Sequence, residues 1–144
     1  MQRLYSVLCL SLGMLATGCA ADRPAEQVGL RRSWQAVAAE RNGTSAPDLV
    51  GHSLAFTADR FQIARDGALL YGGTYTADLS VRPAHIEFRQ DQGRTLRGEW
   101  KGIYRFEGSR LEIIDNADDV SKPRPTQFVT TPGSGYVLVR FEPK

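Results

Sequence analysis

The most constraining feature of the chain is a strict two-residue alternation over residues 97–107. Gly98, Trp100, Gly102, Tyr104 and Phe106 fall on one face, and Arg97, Glu99, Lys101, Ile103, Arg105 and Glu107 on the other. A helix would scatter both sets around its axis. An extended strand separates them, with a dry face and a wet one. The same period recurs in short runs bounded by turn residues. Trp34, Ala36 and Ala38 alternate in 34–40. Leu54 and Phe56 lead to a corner at Ala58-Asp59, and Phe61 and Ile63 alternate with Arg60, Gln62 and Ala64. Asp66-Gly67 is a strong hairpin signal, because both residues tolerate positive φ. Residues 69–78 continue the meander. Pro83 opens a run with Ile86 and Phe88, Asp91-Gln92-Gly93 turns the chain, and Gly108-Ser109 turns it again into Leu111 and Ile113.

No apolar stripe at i, i+3, i+4, i+7 extends beyond one turn. The one helical candidate is 47–51, where Pro47 suits a first helical position. With 42% hydrophobic residues the chain has the material for a soluble core. About eight to ten short strands joined mostly by hairpins favour an up-and-down β-barrel over a Greek-key sandwich. Closure also removes exposed sheet edges. Gly98 and Gly102, on the dry face, allow strong coiling or close approach of a large neighbour. Lys plus Arg is 18 against 16 Asp plus Glu, a balance that makes no case for nucleic-acid binding.

The N-terminus reads as an address. Arg3 is a positive n-region, 4–15 is an apolar run too short to span a bilayer, and Ala16-Thr17-Gly18 precedes Cys19. A signal peptidase needs small side chains before the cut, and a lipid transferase needs a thiol at the new N-terminus. The pattern resembles a bacterial lipoprotein signal; the alternative is cleavage by the general signal peptidase, which leaves a soluble secreted protein. The lipoprotein reading divides the chain into a signal peptide (1–18), a lipidated N-terminus and polar tether (19–29) and a barrel domain (30–144). Cys19 is then the lipidation site and Cys9 leaves with the signal, so the domain stands without disulfides. The expected location is extracytoplasmic and membrane-anchored, with Ala20 after the cysteine favouring the outer membrane.

Several short motifs then resemble one family. They are Ser33-Trp34-Gln35-Ala36-Val37 with Ala39-Glu40-Arg41-Asn42-Gly43, Leu54-Ala55-Phe56-Thr57 with Asp59-Arg60-Phe61, and Gly73-Thr74-Tyr75 with Pro83 and Ile86. Gly102-Ile103-Tyr104 with Leu111, Arg124-Pro125-Thr126-Gln127-Phe128 and Gly133-Ser134-Gly135 complete the series. In order and spacing they resemble a family of small secreted domains of unknown function, common in planctomycete bacteria and regarded as lipocalin-like. The resemblance covers about residues 30–143. It implies a lipocalin-like barrel and brings no established activity. Members usually read Leu-x-Gly-x-Trp at the first strand; here Leu30 and Trp34 match and Arg32 replaces the glycine. In such barrels a first-strand Trp plugs one end and an Arg from near the C-terminus packs on its face. Trp34 is the candidate plug, with Arg124 and Arg140 as candidate partners.

Trp100, Tyr104, Phe106 and Phe128 are the candidate ligand-binding residues, as the aromatic wall of a cavity for a small apolar or amphipathic molecule. The structural alternative is a filled core, since a barrel of this size is either solid or just hollow enough for one ligand. His52 and His85 are the only histidines, too few for a zinc site, and they read as unrelated surface or strand-end residues. The acidic run at 115–119 lacks the EF-hand alternation and reads as a solvated loop. There is no GxSxG elbow, and Gly133-Ser134-Gly135 is a hairpin turn. Glu87, Glu99, Glu107 and Glu112 lie on wet faces, where nothing would tune a carboxylate for acid–base work. The expected protein is therefore a non-enzymatic envelope lipoprotein without metal or cofactor. Its partners are a membrane through the lipid anchor and a small ligand in the barrel. The other reading is a protein-interaction module, an inhibitor or adaptor acting through loops such as 115–125.

Overall fold

The computed structural model describes residues 29–94 and 98–144. Nine strands lie among them: β1 (Ser33–Arg41), β2 (Thr44–Ser45), β3 (Ser53–Phe56), β4 (Arg60–Arg65), β5 (Ala68–Asp78), β6 (Ala84–Gly93), β7 (Glu99–Glu107), β8 (Arg110–Asp115) and β9 (Val137–Pro143). From β3 to β9 each strand pairs antiparallel with the next. β1 carries β3 and the two-residue β2 on one edge and β9 along the other. The β1–β9 ladder closes an eight-stranded up-and-down barrel, with β2 as an addition to its rim. The helical candidate is a single 3-10 turn, Pro47–Leu49, led by its proline.

Local chemistry places the corners. Asp66 and Gly67 have φ of 50 and 77, the pair of positive values that a two-residue hairpin matched to strand twist requires. Gly102 has no room for a Cβ: it would meet the Ile114 carbonyl oxygen and lie 2.8 Å from Asp115 Cβ. The neighbouring strand therefore approaches as closely as the sequence suggested. Gly98 serves differently, with a φ of 78 and open space around it; it makes a turn possible and is not a packing site. The expected start of that strand at Arg97 lies outside the described residues.

Alternation sets inside and outside. On β7, Trp100, Gly102 and Tyr104 are buried inward while Glu99, Lys101 and Arg105 are exposed. Bulges edit the pattern. In β1 the register slips between Ala36 and Ala38, so Trp34, Ala36 and then Ala39 are the buried residues, and Ala38 is not.

The long segment 116–136 crosses the outside of β7, β8 and β9 and covers a second cluster, Ile103, Ile114 and Leu138, with Phe128 and Tyr136. Ile103, placed on the wet face by alternation, is buried there. Asn116, 1% exposed, pins the segment: its Oδ1 accepts from the Lys101 N–H (2.8 Å) and its Nδ2 donates to the Lys122 carbonyl (2.7 Å). The far end is held where the Gly135 N–H donates to Asn42 Oδ1 at 2.7 Å. Glu112 faces outward yet its side chain is only 8% exposed, clamped between Arg105 (2.7 Å) and Arg140 (2.8 Å). Of the four glutamates expected on wet faces, this one is buried.

Candidate ligand cavity

The barrel interior is filled at one end and hollow at the other. The filled end is where β1 begins. Trp34 is 1% exposed there, and its Nε1 donates to the Leu30 carbonyl at 3.1 Å. Its ring lies 6.0 Å from Phe106, which lies 6.1 Å from Tyr104, while Phe56 and Tyr75 pack at 4.7 Å. Above this plug sits an aromatic layer. Phe61, fully buried, meets Phe88 at 5.0 Å and Trp100 at 5.6 Å, both edge-on; Phe88 and Trp100 stack at 5.3 Å. Such tilted and offset contacts suit ring quadrupoles and form a rigid floor.

A cavity of about 250 Å³ opens on the far side of that floor. Trp100, Phe88 and Tyr71 line it from one side, and Ala36, Leu54, Ile63, Ile113, Val139 and Phe141 form apolar walls. Polar groups sit at its mouth: Arg41, Asp48, His52, Ser53 and Asp115. The 3-10 turn places Asp48 and Leu49 there, and the end of β8 brings Asp115, whose carboxylate accepts from the Ala117 N–H at 3.0 Å.

The mouth's charges hold one another. Arg41 forks onto both oxygens of Asp48, at 3.4 and 3.1 Å, and reaches Asp118 at 3.6 Å. The hydrogen bonds from Arg41 keep the Asp48 carboxyl below the ordinary aspartate value. Arg65 donates to the carbonyls of Asp48 (2.7 Å) and Val50 (2.8 Å), fastening the turn to β4. His52 is half-buried. Burial is the main influence pushing its pKa down, Arg65 adds to it, and Asp48 opposes it. The imidazole is therefore held neutral at pH 7.

Of the four expected ligand-binding aromatics, only Trp100 lines the cavity. Tyr104 and Phe106 share its face but lie lower, in the plug. Phe128 is outside the barrel altogether, with the Arg105 guanidinium 4.2 Å over its ring. Trp34 is buried at the closed end, and neither of its expected partners, Arg124 and Arg140, packs on it. Arg124 donates to the carbonyls of Ile86 (3.1 Å) and Gly102 (2.7 Å) and pairs with Glu87, tying the long segment to β6 and β7. Arg140 alternates outward with Leu138 and meets Glu112. The cation over Trp34 is Arg32, at 5.4 Å.

Cavity residues missed by sequence reasoning include Phe88, Tyr71 and His52. The first two were legible as inward positions of alternating strands. His52 was not, because it lies between elements and only the path of 46–52 across the mouth brings it in. Neither His52 nor His85 belongs to a metal-binding cluster: among the described residues no three His, Cys, Asp or Glu side chains gather. Cys19 and the residues expected to form a signal peptide and tether, through residue 28, lie outside the described residues, and among those described no helix is long and apolar enough to cross a membrane.

Fold and cavity together define a lipocalin-like antiparallel barrel, plugged by tryptophan at one end and hollow at the other. Searches against protein-family models, curated proteins and solved structures found no match.

Proposed function

We propose that the protein is a non-enzymatic envelope lipoprotein that holds a small amphipathic molecule in the open half of its barrel, and that it belongs with the lipocalin-like secreted domains its motifs resemble. The observation that carries this reading is the cavity of about 250 Å³, apolar in its walls and polar only at its mouth. At the packing density of protein interiors it takes a guest of roughly a dozen non-hydrogen atoms. That size excludes a whole phospholipid. It suits a medium-length aliphatic chain or a fused aromatic pair bearing one polar group. The stacked Trp100–Phe88 floor gives such a guest a flat apolar seat, and a preformed site spares part of the ordering cost of binding.

The test is mass spectrometry of the chain from Ala20, secreted without its anchor. Extra mass in the native spectrum that disappears on denaturation is the expected result. A bare chain in both spectra, together with no binding of n-octanol at millimolar concentration, overturns the carrier reading. The lipid anchor is tested separately. Cys19→Ser releases the protein from membranes with its fold intact, and persistent attachment of that variant refutes lipidation.

The interaction-module reading retains one supporting observation. The tightly pinned segment 116–136 displays Val120 and Val129, about half exposed at 48% and 57%.

A further inference from the structure

We propose that His52 is the specificity-determining residue of the cavity, and that it selects guests with a neutral hydroxyl-type head over carboxylates and amines. The inference rests on the cavity being a ligand site. His52 stands at the mouth of an otherwise apolar chamber, half-buried, and its backbone is fixed on both sides. The His52 N–H donates to the Leu49 carbonyl at 3.2 Å, and its carbonyl accepts from the Ala36 N–H at 2.9 Å. The imidazole itself makes no hydrogen bond with any other described residue. Partly buried polar groups of this kind find partners in water or in a ligand. A neutral imidazole offers one donor and one acceptor, which a hydroxyl can match in either sense.

The charged groups nearby are committed elsewhere. Arg41 is engaged by Asp48 and Asp118, Arg65 by two backbone carbonyls, and Asp115 by the Ala117 N–H. An ionic head entering the mouth sheds water and must compete with an existing ion pair or backbone hydrogen bond for its counter-charge, which is costly. A hydroxyl sheds less and finds His52 in place.

The experiment compares n-octanol, octanoate and octylamine on the mature chain at pH 7, with their shared eight-carbon tail holding the apolar contribution constant. n-Octanol is expected to bind at least about tenfold tighter than either ion. His52→Leu is expected to weaken n-octanol by about three- to tenfold, the value of one hydrogen bond, and to leave the two ions unchanged. His52→Gln, which keeps a donor and an acceptor, restores most of the loss. A purely structural role for His52 would shift all three probes alike and overturns the proposal. So does an ion that binds tightest to the unaltered chain, a result that needs no variant to fold. In both cases n-octanol still binds and the carrier reading stands. If none of the three binds, this inference fails, and the carrier reading fails with it when the native mass spectrum also shows a bare chain.

Discussion

Val139→Phe separates a hollow barrel from a solid one. Val139 lies on β9 between Ala39 and Ile113 and lines the cavity wall. In a filled core a larger side chain forces off-rotamer neighbours and costs about 1–3 kcal/mol. Here the ring enters a space of about 250 Å³ without displacing anything. Its extra apolar surface contributes roughly 1 kcal/mol of burial, set against roughly 0.5 kcal/mol of rotamer entropy. The expected net effect is a gain of about 0.5 kcal/mol, the difference between those two contributions. Urea unfolding monitored by far-UV circular dichroism reads this as an unchanged or raised midpoint at constant slope. The same substitution occupies the guest's place, so affinity for n-octanol falls by at least about tenfold, or 1.4 kcal/mol. A midpoint lowered by the equivalent of 1 kcal/mol or more, with n-octanol affinity untouched, would mean the space is not there in solution and would sink the argument.

Three further outcomes follow from named contacts. Trp34→Phe keeps the plug's ring but loses the bond to the Leu30 carbonyl and the larger face under Arg32, for a loss of about 1–2 kcal/mol by chemical denaturation; no loss would remove Trp34 from that role. Glu112→Gln tests the buried clamp. Burial raises the Glu112 carboxyl, but hydrogen bonds from Arg105 and Arg140 outweigh it, so its pKa lies below the ordinary 4.5. A lowered folded-state value means stability present above the unfolded value and lost as pH falls through the folded one. The substitution is therefore expected to cost about 1–2 kcal/mol at pH 7 and nothing once pH falls below the depressed folded-state value, discounted because both arginines are partly exposed. A cost that persists unchanged at acid pH would contradict the clamp. Gly102→Ala drives a Cβ into the β8 backbone and is expected to lower stability by at least about 2 kcal/mol, as overpacking does. A neutral result in thermal unfolding would show that the strands are not held at that distance.

Much of the fold was written in local chemistry. The two-residue period, the Asp66-Gly67 turn and the chain of hairpins determine an antiparallel meander, because each depends on neighbours within a few residues. The inward face of β7 was equally legible: Trp100, Gly102 and Tyr104 could not face water together. The Trp34 plug was an expectation from the resemblance to lipocalin-like barrels, not from any local rule.

What the sequence left open are quantities that depend on height along the barrel and on crossings between distant segments. Alternation says that Trp100, Tyr104 and Phe106 face inward; it does not say that only Trp100 reaches the hollow half. Alternation also treats Ile103 and Glu112 as solvent-facing, whereas the segment 116–136 and paired arginines bury them from outside. Phe128 was an apolar residue without a period, and only the course of that segment puts it on the outer wall. His52 entered the mouth through the path of 46–52, which no local rule specifies. Sequence by itself determined the antiparallel meander and which residues of its regular strands turn inward, and it favoured closure of the sheet. Only the tertiary structure decided where the interior is full, where it is empty and which side chains stand at the opening, because volume left over after packing is a property of all eight strands at once.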